Sequence, residues 1–335
     1  MKIFIPEFGV GAVSILISVF LSGWSSLFAT IVGVIWNREY KAMTFLEEGL
    51  ALWRAVQRAG GAVSMVTIPE NSSQPGHLFD TMLEFFLYND VIIGATNFSL
   101  ITTRAVREVL LHGKRFLSLP LATNNRQSML TFDFLQMDPS EAAEAASGML
   151  RVLSQSQRIH VTTALGTDLT FGKRGRQPGL FNGMADTSGK VGSSSFEIYI
   201  GIEETKTNGH AVVDASLGYI GVPSSPIALT FHDGRLSEIE QSAAGEVLRC
   251  YMDSFDDPGI YVAGEFGIGL NRRSRCLGNC YIEDESTFST FHIGMGRNLA
   301  LGGIHDAAGH FDLVFREPTI YADSTLIMKD GLPAV

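Results

Sequence analysis

The chain is short of positive charge. Its 25 lysines and arginines stand against 35 aspartates and glutamates, a formal net charge of −10 over 335 residues. That balance offers no basic field to gather phosphates, so nucleic acid is not an expected partner. Cysteine is scarce as well: three residues, an odd number, make no disulfide framework. Cys276 and Cys280 are spaced C-x3-C with no second pair to complete a zinc site, and read as reduced thiols of a cytoplasmic protein. No G-x-G-x-x-G or Walker-type loop accompanies any strand-like run, which removes a nucleotide site from the expectations. Charge is missing altogether between Phe8 and Trp36, a stretch long enough to span a bilayer. Gly9, Gly11, Gly23 and Ser25-Ser26 interrupt it. The preferred reading is a buried helix around Val10–Leu21 followed by a buried parallel strand over Phe28–Trp36, with no membrane partner. The place of residues 1–37 in the fold is left open.

What the chain does hold is apolar residues (45%) and glycine (35 residues), the mark of a turn-rich globular protein with a substantial core. Up to about residue 155, strand-like and helix-like runs alternate. Ala42–Ala59 has helical spacing and stops at Gly60-Gly61, Ala62–Ile68 reads as a strand stopped by Pro69, and His77–Tyr88 as a helix. Asp90–Ala95, Thr102–His112, Arg115–Leu119 and Ser140–Ser154 continue the pattern. This predicts an α/β domain over residues 1–155, a parallel sheet with flanking helices. From residue 156 short β-like runs separated by glycine take over, with Glu240–Phe255 as the one clear helix and His232–Arg235 (HDGR) as a hairpin turn. Residues 156–335 are therefore expected to form a β-rich α+β domain.

The chemistry concentrates between Ala263 and Asp312, in AGEFGIGLN (263–271), FHIGMGRN (291–298) and GHFD (309–312). In a strand, residues i and i+2 share a face, so His310 and Asp312 would project together while Phe311 turns away. Glu265 and His292 lie in the same glycine-rich, apolar context. Carboxylates and imidazoles buried there are costly unless something pairs with them, and a divalent metal would. Asp168, in GTDLTF, is a further candidate, as a residue orienting a ligand imidazole. His160, His210, His232 and His305 read as surface or structural residues, and Arg272, Arg273 and Arg275 as a solvated loop.

With GTDLTF (166–171) and SPIALTFHDGRLSEI (225–239) added, these segments resemble the thermophilic-type metallo-aminopeptidases, aminopeptidase T and S, from roughly Lys41 to the C-terminus. The resemblance implies an α/β domain followed by a β-rich one, a homodimer, and two divalent ions, zinc, cobalt or manganese. Its five ligands fall on Glu197, Glu265, His292, His310 and Asp312, with Glu265 or Glu197 bridging and serving as general base. It further implies hydrolysis of amino-terminal peptide or small amide bonds by a metal-activated water. One position departs: the family's catalytic tyrosine falls on Leu299, which would cost an oxyanion donor unless Arg297 or Asn298 replaces it. A peptide-binding homologue without turnover is a further reading. The same stretch, with LRCYMDSFDDPGIY (248–261) and the N-x-x-x-GG element Asn298–Gly303, also resembles the 2,5-dihydroxypyridine dioxygenases. These are mononuclear Fe(II) ring-cleaving enzymes with a 2-His-1-carboxylate triad. That triad's third histidine falls on Glu265, so the resemblance would need His292 to join His310 and Asp312.

Overall fold

The structure, a computed structural model, describes residues 28–37, 42–44, 46–69 and 79–335. It is a mixed α/β protein of three sheets that divides into two compact units: residues 1–139 with 182–194, and residues 140–181 with 195–335. Among the described residues no helix is long and apolar enough to cross a membrane. The expected helix around Val10–Leu21 lies outside them.

In the first unit, β1 (Phe28–Asn37), β3 (Ala62–Pro69), β4 (Val91–Gly94), β5 (Arg115–Ser118) and β9 (Val191–Ser193) run parallel in the order β3-β1-β4-β5-β9. The short β2 (Ala42–Thr44) pairs antiparallel with the end of β1. The expected strand over Phe28–Trp36 is therefore present and parallel. β4 is buried at every position, as the continuous apolar run VIIG requires of a sheet covered on both faces. Helix α1 (Leu46–Arg58) buries Ala51, Leu52, Ala55 and Val56 along one stripe. Within the expected helix His77–Tyr88, Phe79-Asp80 are helical, a turn follows at Thr81-Met82, and α2 covers Leu83–Leu87; residues 77–78 lie outside the described set. Helix α3 (Arg104–Leu111) is capped by Thr103, whose hydroxyl accepts from the Val106 amide at 3.3 Å.

A single cut at residue 155 does not describe the division. Helix α4 (Pro139–Gln155) packs Ala146, Met149 and Leu153 into the core of the second unit. Lys173 holds its end by donating to the carbonyls of Leu153 (2.7 Å) and Ser156 (2.9 Å). Conversely, β9 pairs with β5 and belongs to the first unit.

The second unit sets two antiparallel sheets around one core. The larger has the order β13-β12-β11-β7-β6-β17-β18-β19, from β6 (Arg158–Thr162), β7 (Asp168–Gly172), β11 (Asn208–Val213), β12 (Ile227–His232), β13 (Arg235–Ile239), β17 (Thr319–Ala322), β18 (Thr325–Lys329) and β19 (Leu332–Pro333). The hairpin β12–β13 turns at Asp233-Gly234, both with positive φ (47° and 84°), as HDGR predicts. The smaller sheet has the order β16-β15-β14-β10-β8, from β8 (Gly179–Asn182), β10 (Phe196–Gly201), β14 (Ala263–Gly269), β15 (Thr290–Gly296) and β16 (His310–Arg316). The period of 2 sorts this sheet cleanly. Ile198 and Ile200, Phe266 and Ile268, Phe291 and Ile293, Phe311 and Phe315 enter the shared core, where Phe291 stacks on Phe315 at 4.5 Å. The alternate positions carry Glu197, Glu265, His292, His310 and Asp312 to the other face. Two further helices complete the unit: α5 (Ala243–Asp253), buried through Leu248 and Met252, and α6 (Tyr281–Ser286), which lies across β10, β14, β15 and β16.

Candidate metal centre

The antiparallel register aligns Glu265 on β14 with Gly294 on β15 and Gly294 with Asp312 on β16. The glycine matters because side chains meet across it. A Cβ at Gly294 would stand 2.6 Å from His310 Cε1 and 2.7 Å from Glu265 Cβ. With no side chain there, His310 Nε2 reaches Glu265 Oε2 at 3.1 Å and Asp312 Oδ1 at 3.5 Å. Ligand atoms of Glu265, His310 and Asp312 all lie within 4.8 Å of one another. Next along, His292 faces Gly267, where a Cβ would stand 1.9 Å from its Nε2; the imidazole instead crosses β14 to meet Glu197 Oε2 on β10 at 2.8 Å. The five residues expected as ligands thus share one sheet face, but they gather as a trio and a pair.

Glu197, Glu265, His292 and Asp312 are buried, at 4% exposure or less, and His310 is part-buried. His310 Nδ1 donates to the Arg297 carbonyl at 2.8 Å, which leaves Nε2 toward the carboxylates. Ser195 donates to Glu197 Oε1 at 2.6 Å, and the Tyr281 hydroxyl donates to Asp312 Oδ2. Beyond their contacts with His292 and His310, Glu197 Oε2 and Asp312 Oδ1 meet no further donor, and His292 Nδ1 is buried without a hydrogen-bond partner.

The electrostatics follow from this crowding. Burial pushes Glu265 up to about 7, against the opposing pull of His310. For His310 burial works against protonation, but Asp312 and Glu265 outweigh it and raise the imidazole to about 10. His292 rises to about 9 in the same way, with the Glu197 carboxylate outweighing the effect of burial. Asp312 is held well below the usual carboxylate range, because His310 and His292 outweigh its burial. Around the two imidazoles stand Glu197, Glu265, Asp312 and a fourth buried carboxyl, Glu285. A nest of acids around two imidazoles, with the Nε2 of one histidine facing both Glu265 and Asp312, suits a divalent cation.

Other expectations meet different surroundings. Asp168 is exposed and pairs with His160 at 2.8 Å on the larger sheet, so it orients no ligand imidazole. Leu299 is buried in a single 3-10 turn (Leu299–Leu301). The Asn298 amide is committed to Glu204 (3.0 Å) and the Gly264 carbonyl (2.8 Å). His292 joins Glu197 and not the His310–Asp312 pair. Tyr281, Glu285 and Ser195 are residues of the site that the sequence reading missed. Only Ser195 left a trace there, two positions before Glu197 and so on the same strand face.

A family model described as 2,5-dihydroxypyridine 5,6-dioxygenase matches residues 54–334. The 2,5-dihydroxypyridine 5,6-dioxygenase of Pseudomonas putida KT2440 is 26% identical over 195 residues, 54% of this chain and 55% of that protein. The alignment thus spans about half of that relative's length. The solved structure of 2,5-dihydroxypyridine dioxygenase from the same organism superposes with a TM-score of 0.75 at 18% identity, over 97% of both chains. AmpT from Thermus thermophilus superposes at 0.62 and 14% identity, over 97% of this chain and 99% of that one. At such identities the two structures establish a shared fold. The family match overturns the expectation of an aminopeptidase-type hydrolase with a peptide substrate. The residues agree with that correction: Leu299 supplies no phenol, and Glu197 and His292 are turned to each other.

Proposed function

Because the chain belongs to the 2,5-dihydroxypyridine 5,6-dioxygenase family, we propose that it is a metal-dependent dioxygenase that opens a dihydroxylated N-heteroaromatic ring of the 2,5-dihydroxypyridine class. The observation that carries this reading is the trio Glu265, His310 and Asp312, with ligand atoms within 4.8 Å of one another. These three would hold a single divalent ion, Fe(II), which supplies the redox chemistry that lets dioxygen react with an aromatic ring. The donor set of one imidazole and two carboxylates departs from a 2-His-1-carboxylate triad, yet remains a nitrogen–oxygen set suited to such an ion.

The rest of the work falls to the chain's own residues. The hydrogen bond from His310 Nδ1 to the Arg297 carbonyl fixes the tautomer that offers Nε2. His292, protonated up to about pH 9 and turned to Glu197 through Nε2, keeps Nδ1 as a buried donor with no protein partner. That donor is available to a substrate hydroxyl or its oxyanion. Burial of the whole group excludes bulk water, which strengthens each of these interactions.

The test is oxygen uptake by protein purified without air and loaded with ferrous iron. With 2,5-dihydroxypyridine the expected result is one O2 consumed per ring lost from the ultraviolet spectrum, and a loss of about 10³-fold or more in His310→Ala, which removes a ligand. Iron-loaded wild-type protein that consumes no oxygen with any dihydroxypyridine would sink the proposal.

A further inference from the structure

Helix α6 is acidic by sequence (YIEDES), yet all six of its residues are buried. Two of its acids and its serine fasten it. Ser286 accepts from the Phe196 amide at 3.0 Å and donates to the Ile282 carbonyl at 2.6 Å. Asp284 accepts from Ser216 Oγ at 2.6 Å and the Gly278 amide at 3.1 Å, and Glu283 accepts from the Arg275 amide at 3.1 Å. The helix is thus held in place without any help from the metal centre. The remaining polar side chains, Tyr281 and Glu285, are spaced i, i+4 and share a helix face. Tyr281, its ring stacked on Tyr219 at 4.2 Å, donates its hydroxyl to Asp312 Oδ2. The phenol gives its one proton to Asp312, so Glu285 beside it, its carboxyl raised well above the usual value by burial, can meet the phenol oxygen only as a donor. Glu285 Oε2 is buried with no other hydrogen-bond partner.

A carboxylate can give a metal one oxygen or both. A phenol hydrogen-bonded to Oδ2 commits that oxygen and leaves Oδ1, buried, as the one turned toward His310 Nε2 at 3.5 Å. We propose that Tyr281 is a positioning residue that restricts Asp312 to a single metal-facing oxygen, with Glu285 aiming the phenol. The consequence is a centre with few protein donors, which keeps coordination positions open for substrate and dioxygen. This inference rests on the reading above that Glu265, His310 and Asp312 hold a divalent ion.

Cobalt(II) titration of the apoprotein tests it without any turnover. Its visible absorption intensity falls as coordination number rises. In Tyr281→Phe the second Asp312 oxygen is released, so the expected result is weaker absorption per bound cobalt together with about a tenfold change in affinity. Unchanged absorption and affinity within threefold of wild type overturn the proposal. Should Tyr281→Phe fail to fold, Glu285→Gln and Glu285→Ala replace it. Glutamine can still hydrogen-bond the phenol, and alanine cannot. Wild-type absorption in Gln with weakened absorption in Ala supports the assignment, and equal behaviour of the two overturns it. Wild-type protein that takes up no cobalt defeats the metal-site reading itself, which separates that failure from a wrong role for Tyr281.

Discussion

At Gly267 the site turns on the absence of one carbon. The His292 imidazole lies over this residue on its way to Glu197, and a methyl there would stand 1.9 Å from Nε2. Gly267→Ala is therefore expected to push the ring off Glu197 and to destabilise the second unit by about 1–3 kcal/mol, the usual cost of overpacking a closed site. Denaturant unfolding measures it, and a variant within 0.5 kcal/mol of wild type would show that the ring yields freely. Ser195→Ala tests the same pair from its other end. Removing the 2.6 Å donor to Glu197 Oε1 leaves a buried carboxylate oxygen unsatisfied, at about 1–3 kcal/mol. At this scale the sequence was informative about types and faces: Glu265 and His292 stood out as ionisable residues in apolar, glycine-rich strands, and H-x-D announced a shared face. Which side chain meets which was not legible. The contact of His292 with Glu197 spans three strands and depends on registers that no local pattern encodes.

Among the elements, the strands of the smaller sheet were the easiest to read, because a buried apolar face against a polar one leaves an alternation in the sequence. Helix α6 was the hardest. Three acids in six residues show no apolar face, and tertiary partners, Ser216 and the Gly278 amide on Asp284 and the Arg275 amide on Glu283, make their burial tolerable. Asp284 records the strain of that burial: despite its hydrogen bonds, burial lifts its carboxyl to about 6. The folded state prefers this group neutral. Its stabilising effect is therefore complete below the unfolded value near 3.9 and is lost as pH rises through about 6, a change on the order of 3 kcal/mol for two pKa units. Asp284→Asn removes the titration and leaves the other carboxylates in place. Between pH 4 and pH 7 wild type should lose stability relative to this variant by that amount in urea unfolding, and parallel pH curves would contradict the assignment.

For the molecule as a whole, sequence separated an α/β part from a β-rich part but misplaced the seam. The helical residues 140–155 look like one more turn of the α/β pattern, and only the burial of Ala146, Met149 and Leu153 in the same cluster as Ile159 and Phe171 assigns them to the second core. The three residues of β9 carry too little pattern to betray a parallel partner more than 70 positions earlier. Function divided along a similar line, since dioxygenase and aminopeptidase share the fold and the choice rested on few positions. Two cores in one chain carry an energetic expectation. The metal residues all lie in the second unit, so a bound ion stabilises that unit directly, by about 2.7 kcal/mol at a free concentration of 100 times Kd. For a unit of this size that raises its midpoint by roughly 5–10 °C. In a variant carrying Trp24→Phe and Trp36→Phe, the remaining tryptophan, Trp53 in helix α1, reports on the first unit, while calorimetry follows both. Ferrous iron added to the apoprotein under anaerobic conditions should move one calorimetric transition upward and leave the fluorescence midpoint where it was. A fluorescence midpoint that rises by the same amount would mean that the two cores unfold as one cooperative block, and that the division is one of packing alone.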